Sequence, residues 1–200
     1  ILKMFENVED DDIIYCEKIM RNLKEDLMVV VHGQKRTISV KCGNIVTVHC
    51  EKIRSFCDYL IHLGFTEEQI QILFLYHYGD GTIDGTGTER VGVDVLKKRY
   101  REEIKEFNNL THQRKILRLM LDRILSYGTI NQKGHVDFLY YGTLEDGKIY
   151  NMQQFMDFLV ARDYDKNESI HFWPFIYCPQ NRTLKDPTKD PVDRHYTSLK

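Results

Sequence analysis

The eight histidines and five cysteines reach furthest into chemistry, and their spacing speaks against most of it. Zinc sites draw ligands from short clips such as C-x2-C or H-x3-H. Cys16, Cys42, Cys50, Cys57 and Cys178 form none, and the nearest set, His49, Cys50, Cys57 and His62, has the wrong separations for a finger. No metal is therefore expected. A Cys–His dyad needs thiol and base side by side. His49 and Cys50 are neighbours on an extended pattern, where successive side chains face opposite ways.

Carboxylates offer acid–base chemistry at Asp137 and at Glu145-Asp146, but these positions read more simply as a strand end and a turn. The glycine-rich stretch from Gly79 to Glu89 invites a calcium or phosphate reading. Asp80, Asp84 and Glu89 miss the calcium-loop register, and no lysine follows to complete a phosphate loop; a mobile surface loop is the expectation. The nucleophile elbow, the HExxH helix and the dinucleotide glycine motif are also missing. No catalytic residue and no cofactor is assigned, and an enzyme of unrecognised type is the least favoured class.

Aromatic residues carry the remaining signal. They interleave with polar ones in Phe138-Leu139-Tyr140-Tyr141 and in His171-Phe172-Trp173-Pro174-Phe175. Rings exposed on a sheet can stack unpaired bases or dock a protein, so Phe172, Trp173, Phe175 and Tyr140 are the candidate binding residues. Basic residues are not concentrated beside them. Lys97, Lys98, Arg99, Arg101 and Lys105 make the one dense cationic run, and Glu102, Glu103 and Glu106 blunt it into a solvated helix face. A formal charge of -2 and a pI near 6.5 lower the prospect of a dedicated duplex-DNA binder, because phosphate neutralisation supplies most of that affinity.

The elements that would position these residues follow from periodicity. With 42% hydrophobic and 29% charged residues the chain can bury a core. One alanine, Ala161, stands against 12 Tyr and 10 Phe, so bulky side chains do the filling. Behind the acidic run Glu9–Asp12, apolar residues at Ile13, Cys16, Ile19, Met20, Leu23 and Leu27 predict a helix over 13–27. Thr37–Cys42 and Ile45–Cys50, joined at Gly43-Asn44, predict a hairpin, followed by a helix over 51–63. Ile70–Tyr78 fits a central strand somewhat better than a helix, although Thr66–Gln69 reads as a capping box. Helices are expected over 93–107 and 113–126, with Thr111 as N-cap and Gly128 as the stop, then strands at 136–141 and 148–150 and a helix over 152–161. A strand over 170–177 is interrupted by Pro174. The tail after Cys178 reads as extended linker or docking segment.

The strand–turn–strand–helix order over 37–64, the segment Gly64–Phe74, the turn Leu144-Glu145-Asp146-Gly147 and the run Asp163–Phe172 together resemble a ubiquitin-like β-grasp. The resemblance implies an α+β fold, either one β-grasp sheet over 37–178 with a helical insertion near 79–134, or two small α+β units joined by helices. Residues 1–36 would be a helix and lead-in, and 179–200 a tail. It also implies a protein-binding surface without conjugation, since the chain ends Thr197-Ser198-Leu199-Lys200 and not Gly-Gly. Unpaired cysteines and no run of ~20 apolar residues point to an intracellular protein outside the membrane; the sequons at Asn109, Asn167 and Asn181 read as chance. Beginning at Ile1, the chain reads as a fragment. The expected function is a non-catalytic protein-interaction domain, an adaptor or scaffold part of a larger protein or assembly with a protein partner. The alternative is an RNA or single-stranded nucleic-acid binding domain.

Overall fold

The computed structural model describes residues 4–20, 23–42, 47–128, 134–162, 168–179 and 195–200. The chain divides into two units, each built from two stretches: Ile1–Val46 with Leu121–Arg162, and Thr47–Met120 with Asp163–Lys200.

The first unit is a mixed five-stranded sheet in the order β1 (Tyr15–Lys18), β2 (Leu27–Val31), β3 (Gln34–Lys41), β4 (Phe138–Tyr141), β5 (Lys148–Asn151). The hairpin that organises it is β2–β3. His32 and Gly33 both have positive φ, 50° and 74°, which is the two-residue turn whose twist matches the flanking strands. β3 then runs parallel to β4, a pairing that requires a long crossover; the Thr47–Met120 stretch of the second unit lies within that crossover in sequence. Met4, Phe5, Val29, Val31, Ile38 and Phe138 bury one face of the sheet, joined by Leu27, Val40, Tyr140 and Ile149. α6 (Met152–Ala161) leaves β5 behind an Asn151 N-cap that accepts from the Gln154 amide. A π-helical turn, Asp122–Tyr127, ends at Gly128 as expected, φ 75°.

Two expectations fail here. The described residues of 13–27 form no helix: Glu9 and Asp12 close a turn on each other, and Tyr15–Lys18 pairs with β2. The apolar stripe buries little, with Ile13 88% and Met20 80% exposed. Nor does the strand over 37–42 pair with 45–50. Its neighbours are β2 and β4, while His49 bridges Leu199. Residues 43–46 lie outside the described ones. The ubiquitin-like order over 37–64 is therefore not formed, although the α+β class holds.

The second unit packs α1 (Ile53–His62), α2 (Glu67–Tyr78), α3 (Val93–Arg99), α4 (Arg101–Thr111) and most of α5 (Arg114–Leu121) with a short hairpin, β6 (His171–Phe172) and β7 (Phe175–Ile176). Ile70–Tyr78 is helix, not strand. The capping box between Thr66 and Gln69 starts α2 and Gly79, φ 66°, stops it, while Ile70, Leu73, Tyr76, His77 and Tyr78 are buried around its circumference. A continuous apolar run is what such a helix needs. Thr111 is no N-cap; it ends α4 with its hydroxyl donating to Asn108 O. The glycine loop closes on itself rather than hanging loose: Asp80 accepts from the Thr82 and Gly87 amides and the Thr82 hydroxyl, and Gly79 O accepts from Val91 N. Gly85 packs so close to the Tyr78 ring that a Cβ would meet it at 2.7 Å. The expected tail is also corrected over its described end. Residues 196–200 lie extended between 48–52 and 176–178 through backbone hydrogen bonds, with Thr197 and Leu199 fully buried.

Candidate functional site

A two-residue turn at His32-Gly33 fixes the register of β2 and β3. Val31 faces Gln34 and Leu27 faces Ile38, so the next position back, Asp26, lies beside Ser39. Its amide donates to Ile38 O at 2.9 Å. Its Oδ2 accepts from Val40 N at 2.6 Å and from the Ser39 hydroxyl at 3.2 Å. Asp26 thus takes over the place of a strand carbonyl where β2 begins, and the Lys41 ammonium stands 3.8 Å from the same oxygen. Because alternate residues share a face and Val40 joins the core cluster, Ser39 and Lys41 point to the opposite side of the sheet. Asp26 Oδ1 accepts nothing among the described residues. The pair is half-open, with side-chain exposures of 46% for Asp26 and 19% for Lys41.

Two more carboxylates lie in the same unit. Asp137 Oδ2 accepts from the Thr37 amide at 2.9 Å and hydroxyl at 3.1 Å, its Oδ1 lies 3.3 Å from His135 Nδ1, and the Thr37 hydroxyl also approaches His135 O. This is the strand-end role the sequence suggested. Glu25 is 6% exposed, and its Oε2 has no hydrogen-bond partner among the described residues. Gly134 passes so close that a Cβ there would lie 2.1 Å from that oxygen. β3 itself is cationic: Lys35, Arg36 and Lys41 are three of its eight residues, and among the described residues Lys35 and Arg36 form no ion pair. Chemically, a lysine ammonium beside a carboxylate can bind phosphate oxygens and stabilise charge that develops on them, while the carboxylate orients water.

The candidates read from the sequence are scattered. Phe172 is fully buried, in edge contact with Phe56 and Phe107, so it offers no surface. Trp173 and Phe175 are half-buried in the second unit. Tyr140, in the first, packs partly against the core cluster and donates its hydroxyl to Thr143 O. Glu145 and Asp146 form an exposed turn. Cys57 is buried, its thiol pushed far up by burial and then by Asp58 and Glu51, and His49 is held by Glu51 Oε1 at 2.7 Å. Among the described residues no three His, Cys, Asp or Glu side chains are placed to hold a metal ion, and no helix is long and apolar enough to cross a membrane.

The fold has a solved counterpart. It is similar to restriction endonuclease MspI, seen in complex with its cognate DNA, with a TM-score of 0.51 and 12% identity over 96% of this chain and 72% of that one. No family model matches the chain, and no curated protein matches it. This likeness speaks against the expected adaptor role: the fold is one that an endonuclease also adopts. What the sequence reading missed was Asp26 with Lys41. Residue pairs across a two-residue turn at 32–33 number 31↔34, 27↔38 and 26↔39, so the dipeptide His32-Gly33 between Leu27–Val31 and Thr37–Val40 carried the signal. The false helix over 13–27 absorbed Asp26 and hid it.

Proposed function

We propose that the chain is a DNA-binding domain of the endonuclease type, with Asp26 and Lys41 as the group that meets a phosphodiester. The observation that carries the reading is the fold likeness over 96% of the chain to an endonuclease bound to its DNA. Strand β3 supports it, because Lys35 and Lys41 share the sheet face of Ser39 in a chain whose net charge is -2. Affinity for phosphates depends on such local charge more than on the total. Lys41 binds and polarises the phosphoryl oxygens, and Asp26 holds Lys41 in place through Oδ2 while Oδ1 remains available to water. A magnesium ion shares its coordination between one or two carboxylates and the substrate phosphates. Asp26 Oδ1 would serve as one such ligand, and the ion, when bound, would supply charge neutralisation at the scissile group.

The test is a mobility shift and a strand-cleavage assay on the whole chain with mixed-sequence duplex DNA, in low salt, with magnesium and with a chelator. Retention of duplex, weakening steeply as salt rises, is the expected result. Cleavage that needs magnesium and is lost in Asp26→Asn and Lys41→Ala would place the chemistry at this pair. A chain that retains no duplex even at low salt refutes the reading.

A further inference from the structure

A cavity of about 480 Å³ opens in the first unit on the core-cluster face, where β3, β4 and the start of α6 meet. That volume lies within the range of small-molecule sites. Phe5, Phe138 and Met156 form an apolar floor, each under 10% exposed. Around it stand Arg36, Asn151 and Gln154. Arg36 shares the core-cluster face, since it pairs with Val29. Its Nε donates to Met4 O at 3.4 Å, which steers the guanidinium but leaves its terminal nitrogens without an ion pair among the described residues. Asn151 spends its carbonyl oxygen on the Gln154 amide, so its side-chain NH2 and the whole side-chain amide of Gln154 remain to face a ligand. Two carboxylates also line the cavity: Asp137, engaged by Thr37 and His135, and Glu6.

From this lining we infer that the cavity receives one unpaired nucleotide of a DNA strand, its base against the Phe138–Met156 floor, its edge read by Asn151 and Gln154, and its phosphate on Arg36. An apolar, partly aromatic floor suits the face of a base, side-chain amides suit its hydrogen-bonding edge, and an arginine suits its phosphate. A paired base cannot enter a recess of this kind, so the nucleotide must leave the stack. The inference rests on the DNA-binding reading and deepens it. It gives the first unit a second contact, on the face of the sheet opposite Ser39 and Lys41.

The experiment is a titration of the whole chain, with carbon-13 in its methionine methyls, by deoxynucleoside monophosphates and by inorganic phosphate. Saturable shifts of the Met152 and Met156 methyls are expected with the nucleotides and not with phosphate. Gln154→Trp, an exposed position at the rim, should abolish them without disturbing the fold, and Arg36→Ala should weaken binding about tenfold. Shifts equally large with phosphate alone, shifts that survive Gln154→Trp, or no shifts at all overturn the inference. A chain that retains duplex DNA but shows no methyl shift overturns this inference alone; a chain that takes up nucleotides but retains no duplex overturns the reading it rests on.

Discussion

In the first unit the Asp26–Lys41 pair stands half-open to solvent, whereas in the second the His49–Glu51 pair has side-chain exposures of 2% and 0%. The same contrast runs through their neighbours. Asp26 keeps one oxygen without a protein partner, and Lys35 and Arg36 carry charge with no counter-ion among the described residues. In the second unit Tyr177 meets His77 Nδ1 at 2.7 Å, Tyr78 meets His195 Nδ1 at 2.9 Å, and Asn108 is held by Ser169 and His171. Groups of that second kind specify one packing and have little left to offer a ligand. Groups of the first kind stabilise little and keep their valences for something else. The difference separates candidate function from structural glue more sharply than residue type does, since both units use histidines and carboxylates.

The largest effect should come from breaking the buried pair. Glu51→Ala takes the carboxylate away from His49 in a fully buried setting, beside the point where the Glu51 backbone bonds to Thr197. A loss of about 3–5 kcal/mol is expected in urea unfolding. Asp26→Ala, which removes the acceptor for the Val40 amide and the Ser39 hydroxyl, should cost less, about 1–2 kcal/mol by the same measurement. Equal losses for the two variants would break the comparison.

Activity should respond in the opposite order. Lys41→Ala is expected to lower strand cleavage by about 10²-fold, the scale of a positioned polar group acting at the transition state, with an unchanged urea midpoint. A variant that cleaves within threefold of the parent would return Lys41 to the class of surface lysines.

How much of this was legible in the sequence follows the same division. Helices with a strong period and a signalled end were readable: α1 with Phe56 and Leu60 on its buried face, and α6 behind Asn151. The strands β4 and β5 were readable because alternation and a glycine turn coincide there. The sheet order was not, because β3 finds β4 roughly a hundred residues later and nothing in residues 34–41 encodes a partner so distant. The stripe from Ile13 to Leu27 misled for a physical reason: spacings of three and four also arise in an exposed edge strand and its lead-in, where the apolar residues meet solvent. The candidate site depended on register, and register depended on His32 adopting a positive φ, which a histidine before glycine permits but does not announce. Phe172 looked like a binding residue because aromatic composition cannot tell a surface from a core that has almost no alanine to fill it.

A smaller effect tests whether α2 owes its helical state to its ends. Thr66→Ala removes the acceptor for the Gln69 amide and so dissolves the capping box. A cost of about 1 kcal/mol is expected, read in urea unfolding. No measurable change would mean that burial around the whole helix decides its conformation and that the box is incidental.

The finest test of the comparison is pH. His171 Nδ1 donates to Ser169 O at 2.8 Å, which leaves Nε2 as the acceptor for His112 Nε2–H at 2.7 Å; this arrangement requires both rings to be neutral or His112 alone to be charged. Burial, and then the neighbouring His171, lowers the affinity of His112 for a proton; burial likewise lowers that of His171, partly offset by the bond to Ser169. Both folded-state values thus lie below the ordinary 6.5, and the unfolded chain binds more protons as pH drops below that value. The contribution of the pair is fully present above pH 6.5 and is lost as pH falls from there through the folded-state values. The half-buried Asp12 of the first unit, lowered from 3.8 by its bond to Glu9 and then by His32, loses its contribution only at far lower pH. Between pH 7.5 and 5.5 the fall in unfolding free energy should therefore shrink in His112→Gln, which keeps a donor toward His171 but cannot take up a proton. An unchanged slope would show that the pair is not what the second unit protects from acid, and that its buried polar contacts are less uniformly structural than the contrast with Asp26 and Lys41 requires.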